Sequence, residues 1–166
     1  MTIIIDDQLE FHSHLHIILK SVLDEIRELN WACNELSIVF NPHPIPNSTH
    51  ADFKLQEANL DSLKSCNLSG FEFYEVLRTR ENQYIWGVFS GFRGPIPEIL
   101  FDKRPYADGN EDTWENPERF QIENAEMEII CFDSSCTILK FKNELLAQRI
   151  LTQFPGSRIL KPADPA

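Results

Sequence analysis

Three histidines within five positions, His12, His14 and His16, are the first residues whose type and spacing could do chemistry. On a helix, His12 and His16 sit four residues apart on one face, so two imidazoles can share a metal ion. A small metal-dependent hydrolase using His12 and His16 would need a third ligand from His43, His50 or a carboxylate. No H-E-x-x-H pattern supplies one. A solvated, polar helix start accounts for the same residues, so no metal, no cofactor and no catalytic residue is expected.

Other reactive types lead no further. Gly87, Ser90 and Gly91 approach a nucleophile elbow, but two residues separate the first glycine from the serine where that motif has one. Ser90 reads as a turn residue at a strand end. Gly91 and Gly94 are followed by Pro95 and Pro97, which prevents a helix from opening there with free amides for a phosphate. The four cysteines, Cys33, Cys66, Cys131 and Cys136, contain no C-x-x-C pair and read as free thiols packed as small hydrophobes. A two-residue hairpin loop at Asp133 and Ser134 would set Cys131 opposite Cys136, close enough to oxidise.

Charge is the stronger signal. The net charge is −11 and the sequence pI about 4.8. Such a surface repels phosphate, which argues against nucleic acid and against an anionic membrane, and it steers a basic protein inward. The excess is concentrated. Asp102, Asp108, Glu111, Asp112, Glu115, Glu118, Glu123, Glu126 and Glu128 face only Lys103, Arg104 and Arg119 in the same stretch. Tyr106 and Trp114 lie among them. An aromatic anchor ringed by carboxylates is the composition of a protein-binding hot spot. The expected partner-binding residues are Tyr106, Asp108, Glu111, Asp112, Trp114, Glu115 and Glu118, with Trp114 filling a pocket on the partner. Residues 108–112 are also rich in oxygen ligands but lack the full spacing of an EF-hand loop. A solvated loop with Trp114 tucked onto the core is the plainer alternative.

These residues must be positioned by the surrounding elements. The periodicity of Leu15, Ile18, Leu19, Val22, Leu23, Ile26 and Leu29 predicts one long helix over 8–30, with Asp6 and Asp7 at its positive end. Leu36–Phe40 reads as a strand and 41–49, with three prolines, as a loop. A short helix is expected over 60–66. Residues 70–77 and 83–90 read as an aromatic hairpin, and 96–101 as a short strand. Residues 105–117 form a loop, 125–132 and 136–141 two strands, and 143–154 a last helix capped by Asn143. The layout is α+β: a mostly antiparallel sheet with a long N-terminal helix and a C-terminal helix, one domain over 1–160 and a frayed tail at 161–166. No signal peptide or membrane span is read, so a cytoplasmic location is expected and Asn47 and Asn67 carry no glycan.

Residues 126–146, with the Asp133-Ser134-Ser135 turn between two apolar strands, run through a helix to Phe154, Pro155 and Gly156. This segment resembles the closing module of small bacterial immunity proteins over about 35 of the 166 residues. The resemblance implies a cytosolic antidote that binds and blocks a cognate, often basic, toxin domain. The sequence thus points to a non-enzymatic binding domain with a basic protein partner. A structural or adaptor subunit of a larger assembly is a third reading. Nothing in the sequence sets the oligomeric state.

Overall fold

The apolar run at the start of the chain forms a strand, β1 (Thr2–Asp6), rather than the approach to a helix. The structure, a computed structural model, describes residues 1–6, 10–41 and 50–162. The predicted cap at Asp7, most of the proline-rich loop and the last four tail residues lie outside the described residues. Asp6 closes β1 and accepts a hydrogen bond from Arg158 at 3.1 Å.

The single N-terminal helix is not formed. Its stripe is divided among α1 (Leu15–Ile18), a 3-10 turn at Lys20–Val22 and α2 (Leu23–Arg27). Val22, at φ −126° and ψ 17°, interrupts the helical backbone. Leu15, Ile18, Leu19, Val22, Ile26 and Leu29 are nevertheless all buried. The packing preserves the apolar spacing although the helix breaks, because burial rewards the face and not the continuity of the ladder.

Chain direction then reverses into β2 (Asn30–Val39), which is longer than the expected strand. Two expected elements differ further on. The helix expected at 60–66 lies earlier, as α3 (His50–Leu60), and β3 (Cys66–Leu68) follows. The first arm of the expected hairpin is instead α4 (Gly70–Thr79), which buries Phe73, Val76 and Leu77 at helical spacing. A capping box fixes its start: Ser69 Oγ accepts from Glu72 N at 3.2 Å, and Ser69 N donates to Glu72 Oε2 at 2.7 Å.

The remaining elements are β4 (Gln83–Phe92), α5 (Asp112–Glu115), β5 (Met127–Phe132), β6 (Cys136–Phe141), α6 (Glu144–Gln153) and β7 (Arg158–Ile159). Asn143 caps α6 through Leu145 N at 3.0 Å, as its position predicts. Residues 96–101 form no strand; only a 3-10 turn at Phe101–Lys103 interrupts that stretch. The fold is α+β, with a seven-stranded antiparallel sheet in the order β3-β2-β4-β5-β6-β1-β7 and six α-helices among the described residues.

The sheet has two differently covered faces. Ile3, Ile5, Trp31, Cys33, Phe89, Ile129, Leu139 and Phe141 join residues of α1–α4 and α6 in one core. The opposite pleat, Ile4, Ala32, Val88, Phe92, Ile130 and Ile138, is covered by the long connection between β4 and β5. No helix among the described residues is long and apolar enough to cross a membrane.

Candidate binding surface

The acidic stretch belongs to that connection. Residues 93–126 form a strap whose apolar underside, Ile96, Ile99, Ala107, Trp114, Phe120, Ile122 and Ala125, packs on the second face of the sheet. Its carboxylates are thereby left on the outer side.

A row of buried polar residues ties the strap down. Ser90, Glu128, Lys140 and Thr2 are register partners across β4, β5, β6 and β1, and all are shut from solvent. Lys140 Nζ lies 3.0 Å from Glu128 Oε1 and donates to the Arg119 carbonyl at 2.6 Å. Gln121 N donates to Glu128 Oε2 at 2.9 Å, and Thr2 Oγ1 donates to the Pro117 carbonyl at 2.8 Å. Burial pushes the Glu128 carboxyl up, and the Lys140 ammonium acts against that shift. Ser90, expected at a turn, sits within this row in β4 with no hydrogen-bond partner for its hydroxyl among the described residues.

The far end of the strap is held by Glu35. That residue occupies a bulge of β2 at φ 52°, and its carboxylate accepts the amides of Ala107 and Asp108. A carboxylate gathering two successive amides orders the turn that carries Tyr106 and Asp108.

The seven expected site residues separate into two groups. Tyr106, Asp108, Glu111, Glu115 and Glu118 are exposed. Asp112 is half-buried; it accepts from Asn116 at 2.7 Å and pairs with Arg119 at 3.4 Å. Trp114 is an internal anchor: its ring meets Phe132 edge-on at 5.4 Å, and Phe132 in turn meets Trp86 at 5.0 Å. On the strap, the exposed large apolar groups are Leu100 (58% exposed), Phe101 (75%) and Tyr106 (49%). Asp102, Asp108 and Glu98 are exposed in the same part of the strap. Leu100 and Phe101, expected in a strand, lie instead before and within the 3-10 turn; the signal that marks them is an apolar pair directly followed by Asp102, Lys103 and Arg104.

Between this part of the strap and the β3 edge runs a groove of about 500 Å3, lined by Asn34, Asn67, Ile96, Glu98, Ile99 and Arg104 among others. It is continued by a hollow of about 300 Å3 that shares Asn34 and Arg104 and reaches Phe101 and Tyr106. Asn34 Nδ2 and Arg104 Nη1 have no hydrogen-bond partner among the described residues. The Arg104 guanidinium lies over the Phe101 ring at 5.2 Å, which orients both side chains at the mouth of the hollow.

Among the described residues the histidines do not assemble a metal site; His43, one of the third ligands considered, lies outside them. His12 lies in a turn before α1, not on a helix with His16, and its Nε2 donates to the Ser134 carbonyl. His14 and His16 touch edge-on at 5.8 Å, and burial pushes both imidazoles below their usual range. Among the described residues no three His, Cys, Asp or Glu side chains are grouped to hold a metal ion.

The expected Cys131–Cys136 opposition is also absent. The turn takes three residues, Asp133–Ser135, with Asp133 and Ser134 both at positive φ. Phe132 therefore faces Cys136, and Cys131 faces Thr137.

An α+β domain with an antiparallel sheet and an acidic, apolar-tipped strap is the class defined by this geometry. No protein-family model matches the chain. Neither a curated protein nor a solved structure matches it.

Proposed function

We propose that the chain is a protein-binding domain that engages a basic partner through the outer side of the strap. The observation that carries this reading is the exposure of Leu100, Phe101 and Tyr106 on a segment dominated by carboxylates. Exposed aromatic groups supply burial energy at an interface, and surrounding carboxylates supply steering and register. The sheet beneath the strap supports an ordered surface, so little ordering entropy opposes docking. Phe101 and Tyr106, rather than Trp114, are the anchors. The C-terminal resemblance gives the partner its class: a toxin domain neutralised by an immunity protein.

The test compares capture of one basic protein by the wild-type chain, by Phe101→Ala with Tyr106→Ala, and by Asp108→Lys with Glu111→Lys. Loss of the partner in the aromatic pair, and slower, salt-insensitive association in the charge-reversed pair, are expected. A partner held equally well by all three chains would overturn the reading.

A further inference from the structure

The closing rung of the β2–β3 ladder is a pair of cysteines. Trp31 faces Leu68, Ala32 faces Asn67 and Cys33 faces Cys66. Opposed residues of antiparallel strands hold their Cα atoms about 4.5–5.5 Å apart. A disulfide spans Cα separations of about 4.4–6.8 Å. Both side chains point to the helix-covered face: Cys33 is part of the main core, and Cys66 packs against it while remaining partly exposed.

We infer that Cys66 and Cys33 form a thiol–disulfide centre, with Cys66 the attacking thiol and Cys33 the resolving one. The surroundings divide the two roles. The hydrogen bond from Cys33 holds the Cys66 thiol below its usual range, with the Lys54 ammonium acting in the same direction. Burial pushes the Cys33 thiol well up, so it stays protonated until its partner is used. A partly exposed thiol of lowered pKa beside a buried partner is the arrangement of a redox-responsive pair. The other two cysteines lack it. Cys131 belongs to the helix-covered core and Cys136 to the strap-covered cluster, so the sheet itself separates them.

Oxidised glutathione is the class of oxidant that fits, because exchange needs only a disulfide. The Cys66 thiolate attacks one sulfur of oxidised glutathione, and a glutathione thiolate leaves. The Cys33 thiol then gives up its proton and attacks Cys66 Sγ. The Cys33–Cys66 bond forms, the mixed disulfide breaks, and a second glutathione departs, taking up the proton. Two protein thiols are oxidised and one glutathione disulfide is reduced to two thiols. The new bond would fasten the end of β3, whose residues Cys66 and Asn67 line the groove.

The experiment treats the full chain with excess oxidised glutathione, counts free thiols and maps the disulfides by peptide mass. Loss of two of the four thiols, with one linked fragment joining Cys33 to Cys66 and full recovery under dithiothreitol, is expected. Cys33→Ala should stop at a glutathione adduct on Cys66, whereas Cys66→Ala should leave Cys33 unmodified. Retention of all four thiols, or a linked fragment joining Cys131 to Cys136, would overturn the assignment. The wild-type map alone decides between these results, so the conclusion does not depend on the folding of either variant.

Discussion

Glu128 and Lys140 face each other across β5 and β6, 3.0 Å apart and both shut from water, beneath the strap they hold. Removing one partner of a buried ion pair leaves an uncompensated charge, which costs about 3–5 kcal/mol. Lys140→Met should therefore destabilise the fold by about that amount in urea titrations. Glu128→Leu combined with Lys140→Met should recover most of it, since an apolar pair of similar volume needs no desolvation. The deficit of Lys140→Met should shrink on acidification. A buried carboxyl whose pKa is raised favours the folded state below its unfolded pKa of about 4.3, and that favour is lost as pH rises. A deficit that is independent of pH would show that the charge is not the cause.

Trp114 and Phe101 should respond oppositely to truncation. Trp114→Ala removes a ring packed on Phe132 and should lower stability by about 2–3 kcal/mol, below the usual range for a fully buried tryptophan. Phe101 is 75% exposed, so Phe101→Ala should change stability by no more than about 0.5 kcal/mol. Thermal melts of the two variants decide it; equal losses would mean the ring of Phe101 is part of the core.

Ser69→Ala should cost about 1 kcal/mol, because it leaves Glu72 N at the start of α4 without its acceptor. Ser69→Asp should retain most of the stability, as aspartate accepts in the same position. The readout is the midpoint of chemical unfolding.

His14 and His16 set an acid limit. Burial holds both imidazoles below 6.5, so the folded state favours the neutral form. The resulting stability is fully present above 6.5 and declines as pH falls through that value. Glu81 acts against the shift at both rings. Unfolding midpoints should fall on acidification below about 6.5, the unperturbed histidine value, and more gently in His14→Gln combined with His16→Gln. An unchanged slope in that variant would assign the acid sensitivity elsewhere.

Local signals explain what could be read in advance. The strands at Met127–Phe132 and Cys136–Phe141 and the capped helix after Asn143 follow from short-range pattern and turn chemistry. Helix α4 was also encoded, in Ser69 and Glu72, but its aromatic, β-branched content matches strand propensity as well, and packing of Phe73 and Val76 decides for the helix. In contrast, the pairing of Cys33 with Cys66 and the seating of Trp114 on Phe132 depend on register between distant segments. Charge placement marked the strap as an acidic surface, yet it carried no information on which ring faces the sheet.

The position of β1 also governs the order in which the chain can fold during synthesis. Thr2–Asp6 precedes its neighbours β6 and β7 by 130 residues or more. On the ribosome, this edge-capable apolar segment must wait until β6 has emerged. Such distant closure is slow, and an unpaired strand exposed meanwhile invites association between nascent chains. The aspartate that ends the segment, Asp6, places a charge beside that exposed run, a device that discourages edge-to-edge pairing.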